Sequence, residues 1–68
     1  VEELIWGRRI RAFRKLKGFT QEDFAKRIGI SVSVLGEIER GNRKPSEDLL
    51  KAVTETLQIS LDELTSIN

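Results

Sequence analysis

The chain has no cysteine, no histidine and a single proline among its 68 residues. The first two absences exclude disulfides, zinc-thiolate sites, histidine-ligated haem and every Cys/His or Ser/His nucleophile pair. The fold must then stand on packing alone, with neither a metal nor a cofactor expected. Long hydrophobic runs are also lacking, so no transmembrane helix and no signal-peptide core is expected. A chain of this length reads as one domain over residues 1–68. It buries only about 60% of the surface its unfolded form exposes, which leaves little room for a deep cleft with supporting layers around it. No catalytic pair assembles from this inventory, so an enzyme is not expected. Freedom from cysteine accords with a reducing compartment, and the expected location is cytoplasmic.

The net charge of +1 hides a lopsided distribution. Arg8, Arg9, Arg11, Arg14, Lys15 and Lys17 crowd one segment, with no acid between Glu3 and Glu22. After Lys44, the acids Glu47, Asp48, Glu55, Asp62 and Glu63 meet only Lys51. Such asymmetry is the sequence mark of a polyanion-binding face; the plainer alternative makes the bases the solvated side of one amphipathic helix.

Apolar positions recur at helical spacing throughout, and nowhere with the alternation of a strand. A first helix is expected from about Glu2 to Lys17, with Trp6, Ile10, Phe13 and Leu16 as its buried stripe and Gly18 ending it. Glu2 and Glu3 near its start, and Lys15 and Lys17 near its end, suit the helix dipole. A second begins after the capping hydroxyl of Thr20 and buries Phe24, Ala25 and Ile28. Gly29 stops it, since glycine takes the left-handed conformation of a helix C-terminus without a Cβ clash. The pattern then restarts out of phase as Ile30, Val34, Leu35 and Ile38, with either Ser31 or Ser33 capping a third helix from about Val32 to Arg40.

Gly36 lies inside that third helix at a cost of roughly 1 kcal/mol against alanine, which a close approach to a neighbouring helix or to a ligand backbone would explain. Gly41 ends the helix, Asn42, Arg43 and Lys44 form a basic loop, and Pro45 and Ser46 open a fourth helix carrying Leu49, Leu50, Val53 and Leu57 inward. Ser60 and Glu63 form an S-x-x-E capping box for a last helix with Leu61, Leu64 and Ile67. The expected fold is all-α, a compact five-helix domain with a helix-turn-helix at residues 20–41.

Several spaced elements together carry a resemblance to a known family. T-Q-E-x-F-A-K-R-I-G-I-S from Thr20, L-x-E-I-E-R-G from Leu35, P-S-x-D-x-L from Pro45 and L-D-E-L from Leu61 closely resemble the helix-turn-helix domains of the phage repressor and Cro type, the XRE-like family. The resemblance covers roughly residues 5 to 65 and implies a lambda-repressor-like fold and sequence-specific binding of double-stranded DNA. It implies that Gln21, with Thr20 beside it, holds a DNA phosphate at a helix N-terminus, where unpaired amides and a partial positive charge favour an anion. It implies further phosphate contacts from Arg40, Arg43 and Lys44, for which a solvated loop is the alternative. Ser31, Val32, Ser33 and Glu37 match the base-reading positions; hydroxyls bond either sort of base edge, valine packs on a thymine methyl and glutamate accepts from cytosine N4.

Many family members use longer glutamine, arginine or lysine side chains at these positions. Arg14 and Glu39 match a largely buried salt bridge of the family, a structural pair rather than a DNA contact, although Arg14 is otherwise one more solvated base. Arg8, Arg9 and Arg11 receive no assignment.

The resemblance also implies a transcriptional regulator acting as a homodimer on a palindromic operator, paired through the C-terminal region around Leu57 to Ile67. A different class of function, a protein-interaction module such as an antitoxin or adaptor, would use Val32, Val34 and Glu37 as an apolar and acidic surface on the same fold.

Overall fold

The computed structural model describes the backbone of residues 2–65 and the side chains of residues 6–64. Its helices are α1 (Glu2–Leu16), α2 (Gln21–Ile28), α3 (Val32–Glu39), α4 (Glu47–Leu57) and α5 (Leu61–Thr65), with no strand among the described residues. The all-α expectation holds, each boundary falling within a residue or so of its expected place. Ile67, expected on α5, lies outside the described residues.

Capping explains the starts. Thr20 Oγ1 accepts from the Asp23 amide at 3.1 Å, Ser31 Oγ from the Val34 amide at 3.1 Å and Ser46 Oγ from the Leu49 amide at 3.1 Å. Of the two serines open as cap of α3, the structure selects Ser31. The box at α5 closes both ways: Glu63 N donates to Ser60 Oγ at 3.0 Å, and Ser60 N to Glu63 Oε1 at 2.9 Å. At the α2–α3 turn Gly29 adopts φ 81° and ψ 30°, and Ile30 N reaches back to Ala25 O at 2.9 Å, closing the end of α2.

Ile10, Phe24, Ala25, Ile28, Leu35, Ile38, Leu50, Val53, Leu57 and Leu64 form one core, flanked by half-buried Trp6, Phe13, Phe19, Ile30, Val34 and Leu49. α1 packs on α3, α4 and α5, while α2 packs on α3 and α4. Two expected core residues stand outside. Leu16 is 75% exposed because it lies two residues past buried Arg14, about 200° around the helix axis. Leu61 is 52% exposed at the first turn of α5, where Leu64 is the buried residue among those whose side chains are described.

The close helix–helix approach offered as one reason for Gly36 occurs at Gly7. A Cβ on Gly7 would lie 2.2 Å from the Ile38 carbonyl oxygen and 2.9 Å from that of Glu39, so the missing side chain is what lets α1 seat against the end of α3. A Cβ on Gly36 would meet only the Arg40 guanidinium, at 3.0 Å. Arg9 also has a structural role: its Nε donates to Leu64 O at 2.6 Å and its Nη2 to Glu63 O at 2.6 Å. It thereby ties α1 to backbone carbonyls of α5.

Candidate nucleic-acid interface

The helix-turn-helix hangs from an anchor at the end of α3. Arg14 Nε donates to Glu39 Oε2 at 2.6 Å and Nη2 to Glu39 Oε1 at 3.2 Å, a two-pronged pair whose side chains are 7% and 3% exposed. The third guanidinium nitrogen, Nη1, donates to Phe19 O at 2.9 Å and fixes the chain between α1 and α2. Gln21 Nε2 donates to Glu39 Oε1 at 2.9 Å, which adds the first residue of α2 to the same carboxylate. Three segments thus converge on Glu39, and no buried side-chain polar atom among the described residues lacks a partner.

Because the Gln21 side-chain amide is held there, the start of α2 offers an anion its backbone amides, alongside the exposed carboxylates of Glu22 and Asp23. The amides of Gln21 and Glu22 have no acceptor inside the helix, and the Thr20 hydroxyl already serves the Asp23 amide. Beside this terminus lies a polar depression of about 410 Å³ lined by Arg11, Arg14, Gln21, Gly36, Glu39 and Arg40. Three guanidinium groups there face one carboxylate. Arg11 had no assignment from sequence; its place three residues before Arg14 on α1 puts both on one face, which is the signal that could have found it.

Ser33, Glu37 and Arg40 follow one another at helical spacing along the outer side of α3, opposite buried Leu35, Ile38 and Glu39. Ser31 and Val32 are exposed at its start. Val34 packs on the core, so the apolar surface of this face reduces to Val32. Beyond α3, the Gly41 amide donates to Ile38 O at 3.0 Å and the Asn42 amide to Glu37 O at 2.8 Å, which folds the loop back along the helix. That fold brings together two residues read separately from sequence: Arg43 Nε donates to Glu37 Oε1 at 2.8 Å on the surface, the side chains being 53% and 41% exposed. Arg40 and Lys44 are exposed, and no ion pair among the described residues engages them.

Comparison with known proteins places this arrangement. The helix-turn-helix family HTH_3 matches residues 10–64. YazB of Bacillus subtilis, an uncharacterized HTH-type transcriptional regulator, is 67% identical over 64 residues, covering 94% of this chain and 93% of that protein. SlrR of the same organism, an HTH-type transcriptional regulator, is 46% identical over 59 residues, and the match spans 85% of this chain but only 39% of SlrR. Among solved structures, the P22 c2 repressor in complex with a synthetic operator superposes with a TM-score of 0.83 at 33% identity, covering 93% of this chain and 96% of the repressor chain.

Proposed function

The chain belongs to the helix-turn-helix family of XRE-like regulators, and from that premise we propose that it binds double-stranded DNA as a transcriptional regulator, α3 entering the major groove. One observation carries the reading. The basic depression beside the start of α2 lies next to an exposed face of α3, so a phosphate seat adjoins a helix narrow enough for the groove.

In this arrangement Thr20 and the amide end of α2 at Gln21 receive one phosphate, with Arg11 over the same strand. Arg40 and Lys44 at the far end of α3 receive others, and so fix the helix along the groove. Ser31, Val32 and Ser33 then face base edges at the start of α3. A chain this small covers little DNA, so the effective species is a homodimer on a palindromic site, with half-sites one turn apart, about 34–36 Å. Its two copies meet through the C-terminal region around residues 57–67, where exposed Leu61 beside Leu50 and Thr54 offers apolar surface away from α3. The competing reading, a protein-binding α3, loses the support of Val34, which packs inward.

Fluorescence titration of a duplex at several salt concentrations tests this. With roughly three phosphates neutralised per subunit, log K against log salt should fall with a slope of about −5 for a dimer. A slope near zero would sink the assignment.

A further inference from the structure

The Glu37–Arg43 pair has a geometry that neither a phosphate contact nor a direct glutamate contact uses. We propose that Arg43 reads a guanine and that Glu37 is its positioning residue, the carboxylate holding the guanidinium by Nε so that its Nη1–Nη2 edge faces the major groove. This rests on the DNA-binding reading above.

Three observations lead there. First, the bond at 2.8 Å uses Nε alone, and the remaining donors of the guanidinium lie on Nη1 and Nη2. Two parallel donors are the complement of guanine O6 and N7, the commonest specific contact of arginine with DNA. Second, Glu37 is on the outer stripe of α3 between Ser33 and Arg40, and the Asn42 amide bonded to Glu37 O folds the loop so that Arg43 lies along this helix. Arginine gains most in such a place, because holding one nitrogen removes much of the rotamer freedom that a long side chain otherwise loses on binding. Third, the carboxylate is poorly suited to the DNA backbone. A negative charge one guanidinium away from a phosphate opposes it, so the pair as a unit is a weak phosphate ligand, whereas Arg40 and Lys44, with no such partner among the described residues, are good ones. Charge compensation within the pair therefore favours recognition of a base over attraction to the backbone.

The test is a random-duplex selection at one fixed salt concentration with the wild-type chain and with Glu37→Ala, Arg43→Ala and Arg43→Lys. Both side chains are substantially exposed, so the variants should stay fully folded with melting temperatures within a few degrees of the wild type, which is measured alongside. The wild type should enrich a guanine at one position of each half-site, with a preference of about 5- to 150-fold as for a bidentate contact. All three substitutions should flatten that position and leave the others intact. Replacing the guanine by 7-deazaguanine, which removes the N7 acceptor, should weaken wild-type binding and leave Arg43→Ala indifferent.

Glu37→Ala should also bind unrelated duplexes more tightly, with a salt slope steeper by about one per subunit, because the released arginine falls onto phosphate. If Arg43→Ala weakens all duplexes equally and the selected site is unchanged, Arg43 is a phosphate contact and the proposal is overturned. If Glu37→Ala keeps the guanine preference, the positioning role is overturned. A wild-type chain that enriches no site overturns the DNA-binding reading itself, and this one with it.

Discussion

Two arginine–glutamate pairs hang on one eight-residue helix, their carboxylates two positions apart, and they face opposite ways. Glu39 meets Arg14 inside the protein, with Gln21 and Phe19 O completing the cluster; Glu37 meets Arg43 on the surface, held by a single bond. The chemistry of the partners is the same, and the surroundings decide what each pair does. In the interior, every donor and acceptor must be matched, so the pair fixes where three segments meet. At the surface water competes for both charges, so the pair orients a side chain at little energetic cost and stays open to exchange with a ligand.

The largest effect should come from breaking the interior pair on one side only. Glu39→Ala leaves the Arg14 guanidinium buried without its carboxylate, a loss of about 3–5 kcal/mol. A domain of this size has a total stability of only roughly 3–10 kcal/mol, so the variant should lose a large share of it and melt at a much lower temperature by circular dichroism. Replacing both members, Arg14→Met with Glu39→Leu, removes the stranded charge and should retain more helix than either single change. A double variant no better than the singles would show that Glu39 matters chiefly for holding Gln21 and the start of α2.

A smaller effect should follow from disturbing the seat of that pair without touching its charges. Gly7→Ala places a methyl 2.2 Å from the Ile38 carbonyl oxygen, against backbone that has no rotamer with which to yield. α1 and the end of α3 must separate, which costs about 1–3 kcal/mol as overpacking does. The urea midpoint should fall accordingly with an unchanged slope. An unchanged midpoint would mean that α3 can slide, and that Glu39 follows it.

That close approach shows where the sequence stops being readable. The helices, their caps and the core positions were legible because each follows from local rules: Thr20, Ser46 and the Ser60–Glu63 box start helices by their own hydrogen bonds, and Phe24, Leu35 and Val53 repeat at helical spacing. Gly7 and Gly36 look alike in sequence, each a glycine inside a helix. Only the crossing of α1 over α3 tells which is obligatory. Leu16 stands outside because buried Arg14, a charged residue that an apolar stripe does not count, sets the inward face at the end of α1; Leu61 stands outside although it shares a short helix with buried Leu64. The site was legible in its motif residues and not in its pairings. Arg9, Arg11 and Arg14 form one basic cluster in the sequence; folded, Arg9 caps α5, Arg11 lines the depression and Arg14 is buried. Glu37 and Arg43 meet only because the chain turns back at Gly41, φ 82°, and Asn42; the glycine marks the end of α3 in the sequence but not which side chain the returning loop meets.

The smallest effect, and the sharpest test of the comparison, is the response of the two pairs to salt. A double-mutant cycle on Glu37 and Arg43 should give a coupling of about 0.2–1 kcal/mol, since both side chains remain well hydrated. Raising ionic strength from 0.1 M to 1 M shortens the Debye length from about 10 Å to about 3 Å, which should reduce that coupling toward zero. The interior pair is shielded from ions by the same packing that shields it from water. Its cycle, run with the milder Arg14→Lys and Glu39→Gln so that every corner stays folded, should keep its value across that range. Equal salt sensitivity in both cycles would mean that solvent reaches Glu39, and that the interior pair is an ordinary surface bridge under a thin cover. A surface pair that resists salt would mean instead that Arg43 is held more firmly than one hydrogen bond accounts for. In that case Glu37→Ala would cost stability as well as specificity.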